Sequence, residues 1–122
     1  HPGGDLDPDQ LGWLDEQLAA DDRPTIVALH HPPFATGIGH MDAMALAPGA
    51  AAGLHAVVAR HSHVERVLCG HLHRTIVRRW AGTLVMTAPS VAHAVALDVR
   101  QNGGVAGWSG AGSCVAPTYT SA

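Results

Sequence analysis

Lysine is absent from this 122-residue chain, and seven arginines face ten acidic side chains for a formal charge of -3. That balance gives no basic surface for a polyanion, so a nucleic-acid polymer is not an expected partner. A small phosphorylated ligand stays compatible with it, provided a metal ion supplies the positive charge. Cysteine is nearly missing too. Cys69 and Cys114 have neither the spacing of a metal site nor the number for a disulfide framework. Cys69 closes an apolar run and is expected to pack as a small buried thiol, which points to a reducing, cytoplasmic setting. No apolar run is long enough for a membrane: residues 43–59 are broken by Pro48, Gly49, Gly53 and His55, short of the ~20 apolar residues a span needs. No basic-then-apolar leader follows His1, so a signal peptide is not expected. An opening at histidine fits a piece of a longer protein. Charged residues at 14% against 47% hydrophobic argue against disorder and predict one globular, soluble domain.

What the chain has in excess is histidine, ten of them, and several are paired: His30 with His31, His61 with His63, His71 with His73. The last pair ends the stretch Arg66-Val67-Leu68-Cys69-Gly70-His71-Leu72-His73, where an apolar run stops at a glycine. In an extended segment residues i and i+2 point the same way, so His71 and His73 are expected to face one pocket. Neutral imidazole is a common ligand of zinc, iron, nickel and copper. Two solvent-exposed loop histidines have the same spacing, and the motif alone does not separate the two readings.

Taken in order, the chain begins with a loose His1-Pro2-Gly3-Gly4 lead. Asp7-Pro8-Asp9-Gln10 then reads as a helix start, with Asp7 as N-cap, Pro8 at N1 and Gln10 closing a capping box. Leu11, Trp13, Leu14 and Leu18 recur at helical spacing, so a helix is predicted from 8 to about 20, with Trp13 in the core. Thr25-Ile26-Val27-Ala28-Leu29 has the pattern of a strand covered on both faces. Pro32 and Pro33 stop its pairing and leave His30 and His31 at its carboxyl end. Residues 34–47 read as a Gly-containing loop, residues 50–60 as a helix with Leu54, Val57 and Val58 inward, and His61 and His63 as capping its end. His40 and His55 read as surface or loop residues.

Residues 64–69 form the next predicted strand. Strand, crossover helix and strand make a βαβ unit, which brings both carboxyl ends to one sheet edge. Ligands of open α/β sheets bind at that edge, so His30, His71 and His73 converge by topology. Residues 75–80 and 83–87 are predicted strands of a hairpin turning at Ala81-Gly82. Another strand is expected over 91–99 with His93 near its start, then a turn at 101–104 and a tail over 105–122 without assigned structure. The fold class is α/β, a βαβ unit followed by a β-hairpin and further short strands.

Val27-Ala28-Leu29-His30-His31-Pro32-Pro33 and Leu68-Cys69-Gly70-His71-Leu72-His73 together resemble the last two signature blocks of the calcineurin-like metallophosphoesterases. Within that superfamily the nearest resemblance is to class III cyclic nucleotide phosphodiesterases and the related glycerophosphodiesterases. Met41-Asp42 and Thr87-Ala88-Pro89-Ser90 look similar as well, and the likeness covers roughly residues 5–100. The resemblance implies a sandwich fold and a two-metal hydrolase acting on a small phosphodiester, with iron, manganese, zinc or cobalt as the ions. It implies that His30, His71 and His73 bind metal, that His31 fixes the loop or touches substrate, and that His93 reaches the leaving group. Phe34, Met41 and Asp42 fall where the family's substrate-covering loop lies.

The same family's earlier blocks, which supply the bridging carboxylate, have no counterpart. The one asparagine is Asn102, in a predicted turn. Residues 1–104 therefore look like the carboxyl-terminal half of such a domain, whose amino-terminal half is the missing partner. Two readings stay open: the His-rich half of a binuclear phosphodiesterase, or a metal-binding fragment without turnover. A mononuclear zinc hydrolase of another fold is a third. A half-sandwich exposes apolar surface, so self-association is expected.

Overall fold

A computed structural model describes residues 3–91. The expectations for His93, the 91–99 strand, the 101–104 turn, Cys114 and the 105–122 tail lie outside the described residues, Val91 excepted. The element order is α1 (Pro8–Ala20), β1 (Thr25–Leu29), α2 (Gly39–Asp42), α3 (Pro48–Ala59), β2 (Val64–Cys69), β3 (Ile76–Trp80) and β4 (Thr83–Thr87).

The capping box forms as the sequence predicts. The Asp7 carboxylate accepts from the Gln10 amide at 2.8 Å, and the Gln10 side chain accepts from the Asp7 amide at 3.0 Å. Pro8 has no N–H, and two of the three remaining orphan amides of the first turn are satisfied this way. Asp7→Ala is expected to lower stability by about 1 kcal/mol, read as a shift of the urea midpoint at unchanged slope. Helix α3 begins two residues earlier than predicted because Pro48 occupies N1, where its missing N–H costs nothing.

Four strands form one sheet in the order β1-β2-β4-β3. Strands β1, β2 and β4 run parallel, and β3 joins β4 antiparallel at the far edge. The register aligns Leu29 with Cys69 and Cys69 with Thr87, so three parallel strands end in one row. The hairpin turn has Ala81 at φ 50 and Gly82 at φ 80, the two positive angles that a two-residue turn needs to match the strand twist.

The core lies between one sheet face and the helices. Leu18 of α1, Leu54, Val57 and Val58 of α3, and Val64, Val67, Cys69 and Val85 of the sheet form it. Three expectations are corrected here. Strand β1 is not covered on both faces: its exposure alternates, and Ile26 is 58% exposed. The register puts Ile26, Arg66 and Leu84 in one row of the opposite face, which neither α1 nor α3 covers. Trp13 is 61% exposed. Leu11, Leu14 and Leu18 make the inward stripe of α1, and at 3.6 residues per turn Trp13 sits about 130° away from it. The glycine lead is not loose either. The Gly4 carbonyl accepts from the Ala47 amide at 2.8 Å, and a methyl on Gly3 would meet the backbone of Met44 and Ala45.

His61 also departs from its helix-capping role. Its Nε2 lies 2.6 Å from an Asp15 oxygen, and Arg60 reaches the other oxygen at 3.0 Å. These two contacts tie the end of α3 to α1 and hold the Asp15 carboxyl below its usual range, the His61 hydrogen bond contributing most. His55, on the exposed side of α3, packs edge-on against Trp80 with ring centroids 5.1 Å apart.

Candidate metal centre

The aligned strand ends decide where the histidines meet. His30 and Gly70 each follow the last residue of their strand, and the Gly70 amide donates to the His30 carbonyl at 3.0 Å. The Ala88 amide continues the row to the Cys69 carbonyl at 2.7 Å. A methyl on Gly70 would stand 3.2 Å from His30 Nδ1, so the absence of a side chain there lets the imidazole lie against the backbone of the neighbouring strand.

Beyond Gly70 the chain is not extended. His71 has φ 71 and His73 φ 57, both left-handed, so the expectation that they point the same way from an extended segment is corrected. The cause is Leu72, fully buried against Ile38 and Met41 in a second small core. Burying that one side chain between two polar neighbours turns the backbone, and the Leu72 amide closes on the Gly70 carbonyl at 2.8 Å. Thr87, fully buried, pins the far side of the loop: its hydroxyl donates to the Arg74 carbonyl and accepts from the Ile76 amide.

Among the described residues, one group of three metal-ligating side chains comes together: His30, His31 and His71, whose ligand atoms all lie within 4.8 Å of one another. Ring centroids are 4.8 Å apart for His30 and His31, 5.3 Å for His30 and His71, and 4.8 Å for His31 and His71. Tetrahedral bonds of about 2.0–2.1 Å put nitrogens about 3.3 Å apart, closer than the 4.8 Å limit within which these ligand atoms lie. His73 stands outside the group, and no carboxylate belongs to it.

The electrostatics suit ligands. Burial pushes the His71 imidazole below the ordinary histidine value, and His31, His30 and His73 push it further the same way. Burial and then His30 do the same for His31. Both rings are thereby biased to the neutral form that binds metal. His71 Nε2 is buried with no hydrogen-bond partner, an orphan that a metal ion would satisfy.

Of the other predicted site residues, Phe34, Met41 and Asp42 lie in the segment that joins β1 to α3. Phe34 is packed into the main core, with the Arg78 guanidinium 5.2 Å above its ring. Met41 lies in the second core under Leu72. The Asp42 carboxylate accepts from the Thr36 amide and hydroxyl, both at 2.7 Å, and from the Gly37 amide at 2.9 Å. It shapes the loop that leads into α2, the single turn within the segment expected to be a loop. Residues that the sequence reading missed are Gly4, Leu72 and Thr87. The Thr87-Ala88-Pro89-Ser90 likeness was the available signal for the last; Gly4 had none, because its partner is distant in sequence.

Cys69 lies beneath the site, 3% exposed, and burial pushes its thiol up to about 12. A folded-state value above the unfolded one keeps the thiol protonated where the unfolded chain ionises, so the linked stability is lost as pH rises above about 9. Alkylation at pH 8.5 is expected to spare Cys69 in native buffer and to modify it in urea, read by peptide mass mapping.

The aligned parallel strand ends and the histidines at their carboxyl edge are consistent with one class, a partial α/β metallophosphoesterase fold, with a histidine cluster that could hold a metal ion. No family model matches the chain. Among curated proteins it is 37% identical over 100 residues to a probable glycerophosphodiester phosphodiesterase, GpdQ, of Arcobacter nitrofigilis, covering 81% of this chain and 36% of that protein. It is 38% identical over 90 residues to the 3',5'-cyclic adenosine monophosphate phosphodiesterase CpdA of Escherichia coli K12, covering 73% of this chain and 32% of the relative. A cAMP/cGMP dual specificity phosphodiesterase of Mycobacterium tuberculosis is 37% identical over 116 residues, 93% of this chain and 35% of its own length. The chain is thus similar to part of proteins named as cyclic nucleotide and glycerophosphodiester phosphodiesterases, and spans about a third of the length of these relatives.

Proposed function

We propose that this chain supplies the histidine-rich part of the active site of a metal-dependent phosphodiesterase acting on a small substrate, a cyclic nucleotide or a glycerophosphodiester. The observation that carries the reading is the convergence of His30, His31 and His71 at the carboxyl ends of β1 and β2, in a chain whose relatives are named for those two activities. The ligands are drawn from His30, His31, His71 and His73. When bound, divalent ions of the iron, manganese, zinc or cobalt type would polarise the phosphoryl group and activate water. The protein's part is to hold neutral imidazoles at the sheet edge and to shape the covering loop through Phe34, Met41 and Asp42. His93 is the candidate for the leaving-group side.

A second reading is favoured by one observation: the cluster contains three histidines and no carboxylate. Three neutral donors suit one ion better than a bridged pair, so the 122-residue chain by itself is read as a metal-binding piece without turnover. The working protein would be cytoplasmic, and its remaining part would cover the sheet face of Ile26, Leu84 and Val77, all exposed here; without it, self-association through that face is expected. No described helix is long and apolar enough to cross a membrane.

Hydrolysis of bis(p-nitrophenyl) phosphate with added manganese tests the proposal, comparing the 122-residue chain with a full-length protein that carries it. Chelator-sensitive turnover by the longer protein and little by the chain alone is expected. Equal, metal-independent rates in both would overturn the reading.

A further inference from the structure

We propose that Arg78 is a positioning residue: its guanidinium clasps Phe34 and Ala35, fixes the 34–42 segment as one wall of the histidine site, and so sets how tightly a small phosphodiester is held there. The inference rests on the phosphodiesterase reading above and concerns the wall beside the histidines rather than the metal ligands.

The register makes Arg78 conspicuous. Side chains of a strand alternate between the two sheet faces, and in β3 Ile76 and Trp80 pack against the main core while Val77 is 55% exposed on the other face. Arg78 therefore stands on the core side, directly opposite the fully buried Val85 of β4. A charge at such a position needs a partner, or a surface for its stem with the head left in water. Phe34 is that surface. The Arg78 Cζ lies 5.2 Å from the centre of its ring, and Nη1 donates to the Ala35 carbonyl at 3.5 Å, while the arginine itself stays exposed.

The rest of the segment ties this grip to the site. Asp42 holds the next two residues, Thr36 and Gly37, so residues 34–37 are gripped from both ends. Ile38 and Met41 then bury against Leu72, the residue between His71 and His73, and Ile76 of β3 packs on the same group. Phe34 is separated from His31 only by the two prolines. The segment thus leaves from one histidine and rests on the turn that carries another, so it borders whatever occupies the space between them. Strand β3 reaches it twice, through Ile76 and Arg78, and only the arginine contact is exposed enough to be removed without opening a core.

Kinetics of bis(p-nitrophenyl) phosphate hydrolysis by the longer, manganese-loaded protein test the role. Hydrogen exchange of the 122-residue chain gives a readout independent of activity, with circular dichroism to verify folding. Arg78→Gln is expected to raise KM by about 3–10-fold with kcat within about 2-fold, the signature of lost uniform binding. Arg78→Lys should fall between it and the parent, because lysine keeps a cation over the ring but lacks the planar fork. In a Phe34→Leu background the Arg78→Gln change should add less than about 2-fold, since the ring it acts through is gone. In the chain, Arg78→Gln should speed exchange of the Thr36 and Gly37 amides at least about 3-fold and leave Val67 and Leu68 of β2 unchanged. Unchanged exchange at Thr36 and Gly37 overturns the clamp. Faster exchange with unchanged KM, or a fall in kcat at constant KM, overturns the role at the site, and so does a full KM effect in the Phe34→Leu background. Should Phe34→Leu unfold, Arg78→Lys decides it by lying between parent and Arg78→Gln or by matching the latter, which overturns the cation's part. Normal turnover with KM and exchange both unchanged sinks this inference alone. A longer protein without chelator-sensitive turnover sinks the functional reading and the substrate role with it, while the exchange result still decides the clamp.

Discussion

His71→Ala is expected to reduce metal affinity by about 100-fold or more and to abolish the rise in melting temperature that zinc produces in the parent chain. His71 belongs to both ligand sets considered, and its ring touches those of His30 and His31. Its removal leaves an exposed His30 and a half-buried His31, too few donors to hold an ion with comparable strength. A ligand at 100 times its dissociation constant stabilises the native state by about 2.7 kcal/mol, so the loss is readable by thermal unfolding with and without zinc. In the metal-free chain the same change should cost little. It removes a buried Nε2 that has no partner, and an unsatisfied buried polar group is itself unfavourable by about 1–3 kcal/mol.

The sign of the pH dependence follows from the same ring. Burial holds His71 below its ordinary value of 6.5 in the native state, so below that pH the unfolded chain binds a proton that the native one resists. Stability of the metal-free chain is therefore expected to fall as pH drops through about 6.5, and less steeply in His71→Ala.

Leu54→Ala is expected to destabilise the chain by about 2–5 kcal/mol, against a total of about 5–15 kcal/mol for a typical domain. Leu54 is 2% exposed and sits where α3 meets the sheet. Beside it α1 and α3 approach closely at Gly53, where a methyl would meet Leu11 Cδ1 at 2.5 Å. Urea unfolding followed by circular dichroism measures the loss. Ile26→Ser on the uncovered sheet face is the control, with an expected change within about 0.5 kcal/mol in the monomer. A control that destabilises as much as Leu54→Ala would mean that a second layer already covers that face.

These two predictions differ in how far they could be read without coordinates. Leu54 was legible as an inward helix position because its period with Val57 and Val58 is local. The capping box at Asp7 and Gln10, strand β1 and the Ala81-Gly82 turn were legible for the same reason, each being set by residues within a few positions. Trp13 was not. Its spacing from Leu14 and Leu18 is compatible with the core, and only the packing of α1 against α3 selects the stripe of Leu11, Leu14 and Leu18 instead. The covering of β1 was likewise misread, because an apolar run looks the same whether its second face is buried within the chain or left open.

The histidines divide along that line. By itself the sequence determined that His30, His31, His71 and His73 stand at the carboxyl ends of two parallel strands, since strand, helix and strand can hardly be wound otherwise. Which of them share a site was decided by tertiary structure alone. Burying Leu72 turns the backbone at His71 and His73, and packing Gly4 against His31 occupies the space beside that ring. Both are contacts between segments far apart in the chain, and a local pattern carries no information about them.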